Sequence, residues 1–221
     1  MATFTNRLNE LISSDYSTIA VQSHKDFFNA AIAEVADMLP NELLLKYAVD
    51  PINLNDGTPA WTSVEGKKVL LVVREESGSG PGRECTPVSI QDFEIAKDST
   101  SIYEATKYSP VFAYTTDAGA TSLSIYPTPT ATETVKIYYF AYPSLSDLGV
   151  STIDGFPDEV LSAVCFKAAA NMLSTYISDF VQDEEDQEML NMLSAQLQTL
   201  LSQFSSEMAR FTEPDSTPTG E

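Results

Sequence analysis

At 221 residues, 43% hydrophobic and 20% charged, the chain has the proportions of a folded protein with one sizeable core, or one core plus a protruding element. Thirty-two acidic against twelve basic residues leave a formal charge of −20, which repels nucleic acid and anionic lipid and excludes a protein that reads or wraps DNA. Cys85 and Cys165, without a CxxC or a histidine cluster, exclude a disulfide framework and a zinc site; both are expected to be buried fillers.

The opening MATFTNRLNELISSD has neither the basic start nor the apolar stretch of a signal peptide, and nowhere do eighteen apolar residues run together. A cytoplasm-like compartment and no membrane span are expected. Residues 4 to 12 carry Phe4, Leu8, Leu11 and Ile12 at helical spacing, and 24 to 39 carry Phe27, Phe28, Ala31, Ile32, Val35, Met38 and Leu39. Two amphipathic helices are predicted there, the second capped by Ser23 and closed by Pro40, and PNELLLKYA restarts a short helical turn.

From about residue 60 the character changes to β-branched and aromatic residues. KKVLLVVRE reads as a buried strand and SGSGPGRE after it as a loop. PVFAYTTDAGATSLSIYPTPTATETVKIYYFAYP holds three more strands, near 110 to 115, 121 to 126 and 133 to 142, with DAGA as a tight hairpin connection. In the intervening PVSIQDFEIAKDSTSIYEATKYS, Ser101 to Thr106 fits one helical turn.

IDGFPDEVLSAVCFKAAANML, residues 153 to 173, opens the third region. Pro157 suits the first helical position, Asp158 and Glu159 suit the positive end of the helix dipole, and Asp154 lies upstream as a turn former, so a helix is predicted from Phe156 or Pro157. Val160, Leu161, Val164, Cys165, Ala168, Ala169, Met172, Leu173, Tyr176, Ile177 and Phe180 make an apolar stripe too wide for one neighbour, and Ala168 to Ala170 allow close backbone approach. After DFVQDEEDQE a second helix shows a near-heptad seam of Leu190, Leu193, Leu197, Leu200, Phe204, Met208 and Phe211. The two helices are expected to fold back as an antiparallel hairpin, with the acids of 183 to 188 at the start of the second. EPDSTPTGE at the end reads as a mobile tail, or as an arm that orders on a partner.

The predicted fold class is therefore α+β: an N-terminal helical segment (1–59), a central antiparallel β-domain (60–150), a C-terminal two-helix hairpin packing with the first segment (151–212), and the extended tail (213–221). Charge is segregated. From residue 137 onward there are fourteen acids and two bases, Lys167 and Arg210, a formal −12 of the −20.

Little here suggests chemistry. The single histidine, His24, has no partner motif; SGSGPG lacks the lysine and hydroxyl of a phosphate loop; and DEEDQE lacks the alternation and glycine of a calcium loop. Asp92 and Glu94 share a face only if their segment is extended. Tyr138, Tyr139, Phe140 and Tyr142 suit a carbohydrate platform, an interface or plain sheet packing. No catalytic residue, metal or cofactor is expected.

The order of parts carries more information. MLPNELLLKYA, VLLVVREESG, PVSI, SIYEATKYSPVFAY, SLSIYPTP, VKIYYFAYP and the proline-started alanine-rich helix before an acidic knuckle resemble virion neck proteins of tailed bacteriophages, of the head-to-tail adaptor or connector type. The resemblance spans most of residues 25 to 205. It implies a non-enzymatic virion subunit, made in the host cytoplasm, that forms a homo-oligomeric ring, a dodecamer by preference. The ring would dock on the portal protein and a neighbouring neck or tail protein and leave a channel through which DNA passes without specific binding. Tail-completion or tail-tube-associated proteins are the near alternative, a carbohydrate-binding module one of another class, and a hydrolase using Asp92 and Glu94 a third.

On this reading the subunit interface is expected at Phe156, Leu161, Ala168, Met172, Tyr176, Phe180, Leu193, Leu197, Leu200 and Phe204. Asp183, Glu184, Glu185, Asp186 and Glu188 are expected to form an acidic channel or surface.

Overall fold

The computed structural model describes residues 2–12, 21–54, 60–61, 64–76, 82–117, 120–130, 132–183 and 187–212. The chain divides into two compact units, residues 1–40 with 142–221, and residues 41–141. The sheets thus begin earlier than the expected boundary at 60, and residues 142–150 join the helices.

In the helical unit, α1 (Phe4–Leu11) starts at Thr3, whose side chain accepts a hydrogen bond from the Asn6 amide at 3.3 Å. The Phe4 and Thr5 amides donate to the Val150 and Leu148 carbonyls at 3.0 and 3.1 Å, so the open helix end is satisfied by the segment preceding the last helices. The next helix, α2 (Val21–Met38), begins upstream of Ser23, which lies inside it rather than capping it. It ends as expected, just short of Pro40.

Gly155, at φ +71°, makes the left-handed turn that swings the chain into Pro157. A 3₁₀ turn over Asp158–Val160 then leads into α5 (Leu161–Asp183), which is followed by α6 (Gln187–Thr212). Here α5 packs against α1, α2 and α6 at once. Three neighbours explain a stripe too wide for one. Because Lys167, early in α5, lies over the ring of Phe204, late in α6, the last two helices run antiparallel.

Among its described residues the β unit contains α3 (Asn41–Leu45) and the strands β1 (Ile52–Leu54), β2 (Ala60–Trp61), β3 (Lys67–Glu76), β4 (Arg83–Glu84), β5 (Thr86–Pro87), β6 (Val111–Asp117), β7 (Ala120–Tyr126) and β8 (Glu133–Ala141), with α4 (Ile90–Ala96) after β5. They form two sheets ordered β1-β8-β3-β4 and β2-β7-β6-β5, antiparallel throughout except for β5 against β6. Leu54, Val72, Val135 and Ile137 from one sheet share a core with Trp61, Phe112, Leu123 and Ile125 from the other. Alternating apolar residues on both sheets bury one face each, as in a sandwich.

Two local expectations are corrected. Arg83 and Glu84, assigned to a loop, pair with Val73 and Arg74 as β4; residues 77–81 of that loop lie outside the described residues. The helix of the 88–110 segment is α4, not Ser101–Thr106. It is nucleated by Ser89, whose hydroxyl accepts from the Asp92 amide at 3.1 Å and donates to the Asp92 carboxylate at 2.7 Å. The hairpin connection falls at residues 118 and 119 and the terminal arm at 213–221, both outside the described residues.

Candidate functional site

The residues expected at a subunit interface are mostly used within the chain. Phe156, Leu161, Ala168, Met172, Leu193, Leu200 and Phe204 are buried, Tyr176 and Leu197 are half-buried, and the Phe180 side chain lies outside the described ones. The stripe of α5 faces α1, α2 and α6 within the chain. Among the acids, Glu188 is exposed in the first turn of α6, where the dipole favours it. The side chain of Asp183 and all of Glu184, Glu185 and Asp186 lie outside the described residues.

What α6 leaves outside is unusual for this chain. From Met189 to Ser206 there is no charged residue, although 20% of the chain is charged. Met189, Met192, Ala195, Thr199, Ser202 and Ser206 recur at three- and four-residue spacing on the exposed side, opposite the buried Leu193, Leu200 and Phe204. Met192 is 57% and Leu201 40% exposed. A solvated helix face ordinarily carries charge, and small or thioether side chains without charge suit helix-on-helix contact. Composition alone, read with the heptad, could have flagged this face.

Lys167 holds the helices in register. Its ammonium pairs with Glu34 of α2 at 2.7 Å and lies 5.7 Å from the centre of the Phe204 ring, joining α2, α5 and α6.

The residues considered for chemistry are dispersed or committed. Because α4 is helical, Asp92 and Glu94 point to different sides; Asp92 serves the Ser89 cap and Glu94 pairs with Lys97 at 2.7 Å. Among the described residues there is no group of three or more His, Cys, Asp or Glu placed to hold a metal. Both thiols are buried. Burial pushes Cys85 up to about 12, against the opposing effect of Arg74, and raises Cys165 as well, so neither is an activated nucleophile.

The aromatic strand is likewise spent on packing. Phe140 is buried, Tyr139 lies 5.1 Å from Trp61 with Lys67 over both rings, and Tyr142 donates to Asp37. By length and composition Asp158–Ser178 is apolar enough to cross a membrane, at mean hydropathy 1.3, but 56% of that window is buried. Its neighbours are the other helices of the unit, as for a core helix.

The family whose model describes the SU10 adaptor protein matches residues 1–218. The chain belongs to the SU10 adaptor protein family. No curated protein matches it by sequence. Membership agrees with the resemblance drawn from the order of parts, and makes the chain a structural adaptor of a bacteriophage head-to-tail junction and a component of the virion. The family is one of structural adaptors, not a known enzyme class.

Proposed function

We propose that this member of the family forms a homo-oligomeric ring in the phage neck, joins the portal to the tail, and leaves an axial channel for the genome. The observation that carries the reading is the family match over residues 1–218. The resemblance favours twelve copies, with the portal on one face and a neighbouring neck or tail protein on the other.

Two physical features support it. Copies of a chain at −20 repel one another, so they can meet only where charge is absent or paired; the outer face of α6 is such a place. The uncharged outer face of α6 is therefore one surface on which copies can meet. Acids kept wet along the helical unit, Glu188 among them, give a surface to which DNA does not adhere during passage.

Native mass spectrometry of the full chain, alone and mixed with the portal protein of its phage, tests the reading. A closed oligomer in either sample is expected. Monomer alone in both sinks it, and assembly only with isolated tail-tube subunits would move the protein to the tail.

A further inference from the structure

The geometry points to a knob-in-cleft contact between copies: the loop carrying Ile102 and Tyr103 of one chain seats in the cleft between α1 and α5 of the next. The inference rests on the ring reading above and names the surfaces that would close the ring.

The knob is the most exposed apolar feature among the described residues. Ile102 is 90% and Tyr103 73% exposed, more than any other large hydrophobic side chain there. They are not displayed by a loose segment. The Asp98 carboxylate accepts from the Thr100 amide and hydroxyl at 2.9 and 2.7 Å, the Ser101 hydroxyl accepts from the Tyr103 amide at 3.1 Å, and the Ala105 amide donates to Ala96 of α4 at 3.0 Å. Ala96 and Ala105 sit in a small core with Phe93, Val111 and Ala113, which anchors the loop from below. A loop already ordered loses little entropy on docking, so the apolar area it buries is retained as affinity.

A projecting knob needs a hollow, and the helical unit has one. Arg7, Glu10, Leu11, Ser162, Cys165 and Phe166 line a cavity of about 170 Å³. An apolar cavity of about 150 Å³ holds a benzene ring, so this one admits a single isoleucine or tyrosine side chain.

The charges that line the cleft choose the occupant. Arg7 and Glu10 stand one helical turn apart on α1, while Glu104 and Lys107 follow the knob three residues apart. Glu104 opposite Arg7 and Lys107 opposite Glu10 pair both signs at once. That lets two strongly acidic copies approach, and it orients them. The cleft also adjoins the charge-free helix, since Gln196 of α6 donates to the Leu11 carbonyl at 2.9 Å. Knob and cleft are different surfaces, so the contact is head-to-tail and closes into a ring when the rotation allows.

The test uses the full chain, by native mass spectrometry and sedimentation velocity. Ile102→Asp removes the knob, while Ser162→Trp fills the cleft mouth, with Glu10→Lys as a second cleft variant should the tryptophan disturb folding. Each alone is expected to weaken assembly at least about tenfold. A one-to-one mixture of a knob variant with a cleft variant is expected to give a heterodimer, because one intact knob then meets one intact cleft. Arg7→Glu combined with Glu104→Arg is expected to recover assembly that either change loses.

Variants that assemble like a ring-forming wild type, or a mixture that yields no heterodimer, overturn the knob-in-cleft contact and leave the ring reading standing. A wild type that stays monomeric, alone and with the portal, overturns both.

Discussion

Arg74 and Glu133 form an ion pair 2.7 Å long between β3 and β8, with only 3% and 11% of their side chains exposed. The same guanidinium donates to the Pro127 carbonyl, and the Glu133 carboxylate also accepts from the Thr130 amide and hydroxyl at 2.9 and 2.8 Å. One pair thus fastens the connection between β7 and β8, and with it the two sheets.

Removing one partner leaves a buried charge uncompensated. Glu133→Ala is expected to destabilise the protein by about 3 to 5 kcal/mol, read from the urea midpoint of the β unit's transition. A midpoint within experimental error of wild type would show the pair to be dispensable.

Acid should weaken the same pair. Burial pushes the Glu133 carboxyl up, but the Thr130 hydrogen bonds and Arg74 outweigh it and hold the group below its ordinary range. Its stabilisation is therefore present at neutral pH and above, and is lost as the pH falls through that depressed value. Urea midpoints between pH 7 and pH 3 should fall more steeply for wild type than for Glu133→Gln. Parallel curves would contradict this.

Two substitutions one position apart on α6 separate core from interface. Leu193→Ala, in the buried seam, is expected to cost about 2 to 5 kcal/mol and lower Tm. Met192→Glu, on the charge-free side, should change monomer stability by no more than about 0.5 kcal/mol while abolishing assembly. If Met192→Glu assembles normally, the outer face of α6 is not a contact.

Lys167→Ala loses the ion pair with Glu34 and the contact with the Phe204 ring. Both are partly solvated, so a loss of about 1 to 2 kcal/mol is expected by thermal or chemical denaturation. Lys167→Arg should recover part of it.

The thiols report on folding. Native protein at pH 8 should resist alkylation at Cys85 and Cys165, and both should react once the chain is unfolded, as counted by intact mass. Because burial pushes the Cys85 thiol up to about 12 from an ordinary 9.0, the fold should also lose stability as pH rises above about 9. Cys85→Ala should lessen that alkaline loss.

The long helices could be read from spacing because an element of several turns repeats its apolar period often enough to stand out, and Pro40 and Pro157 punctuate it chemically. The strands β3, β6, β7 and β8 were legible for the same reason. Pairs such as Arg83–Glu84 and Thr86–Pro87 have no period at all; they are strands only because β3 and β6 lie beside them. The helix α4 did leave a signal, Ser89 three residues before Asp92 and then Phe93 and Ala96 at helical spacing, which outweighs the turn formers after it.

The amino-acid sequence by itself determined the α+β class, the hairpin of the last two helices, and the likeness to phage adaptors. What the tertiary structure alone decided is which greasy faces remain available. Periodicity states that a stripe must be buried but not by what, since hydrophobic burial has no direction of its own. Here α1, α2 and α6 cover α5, and among the described residues the uncharged outer side of α6, the cleft beside Arg7 and Glu10, and the ordered loop that presents Ile102 and Tyr103 stay exposed.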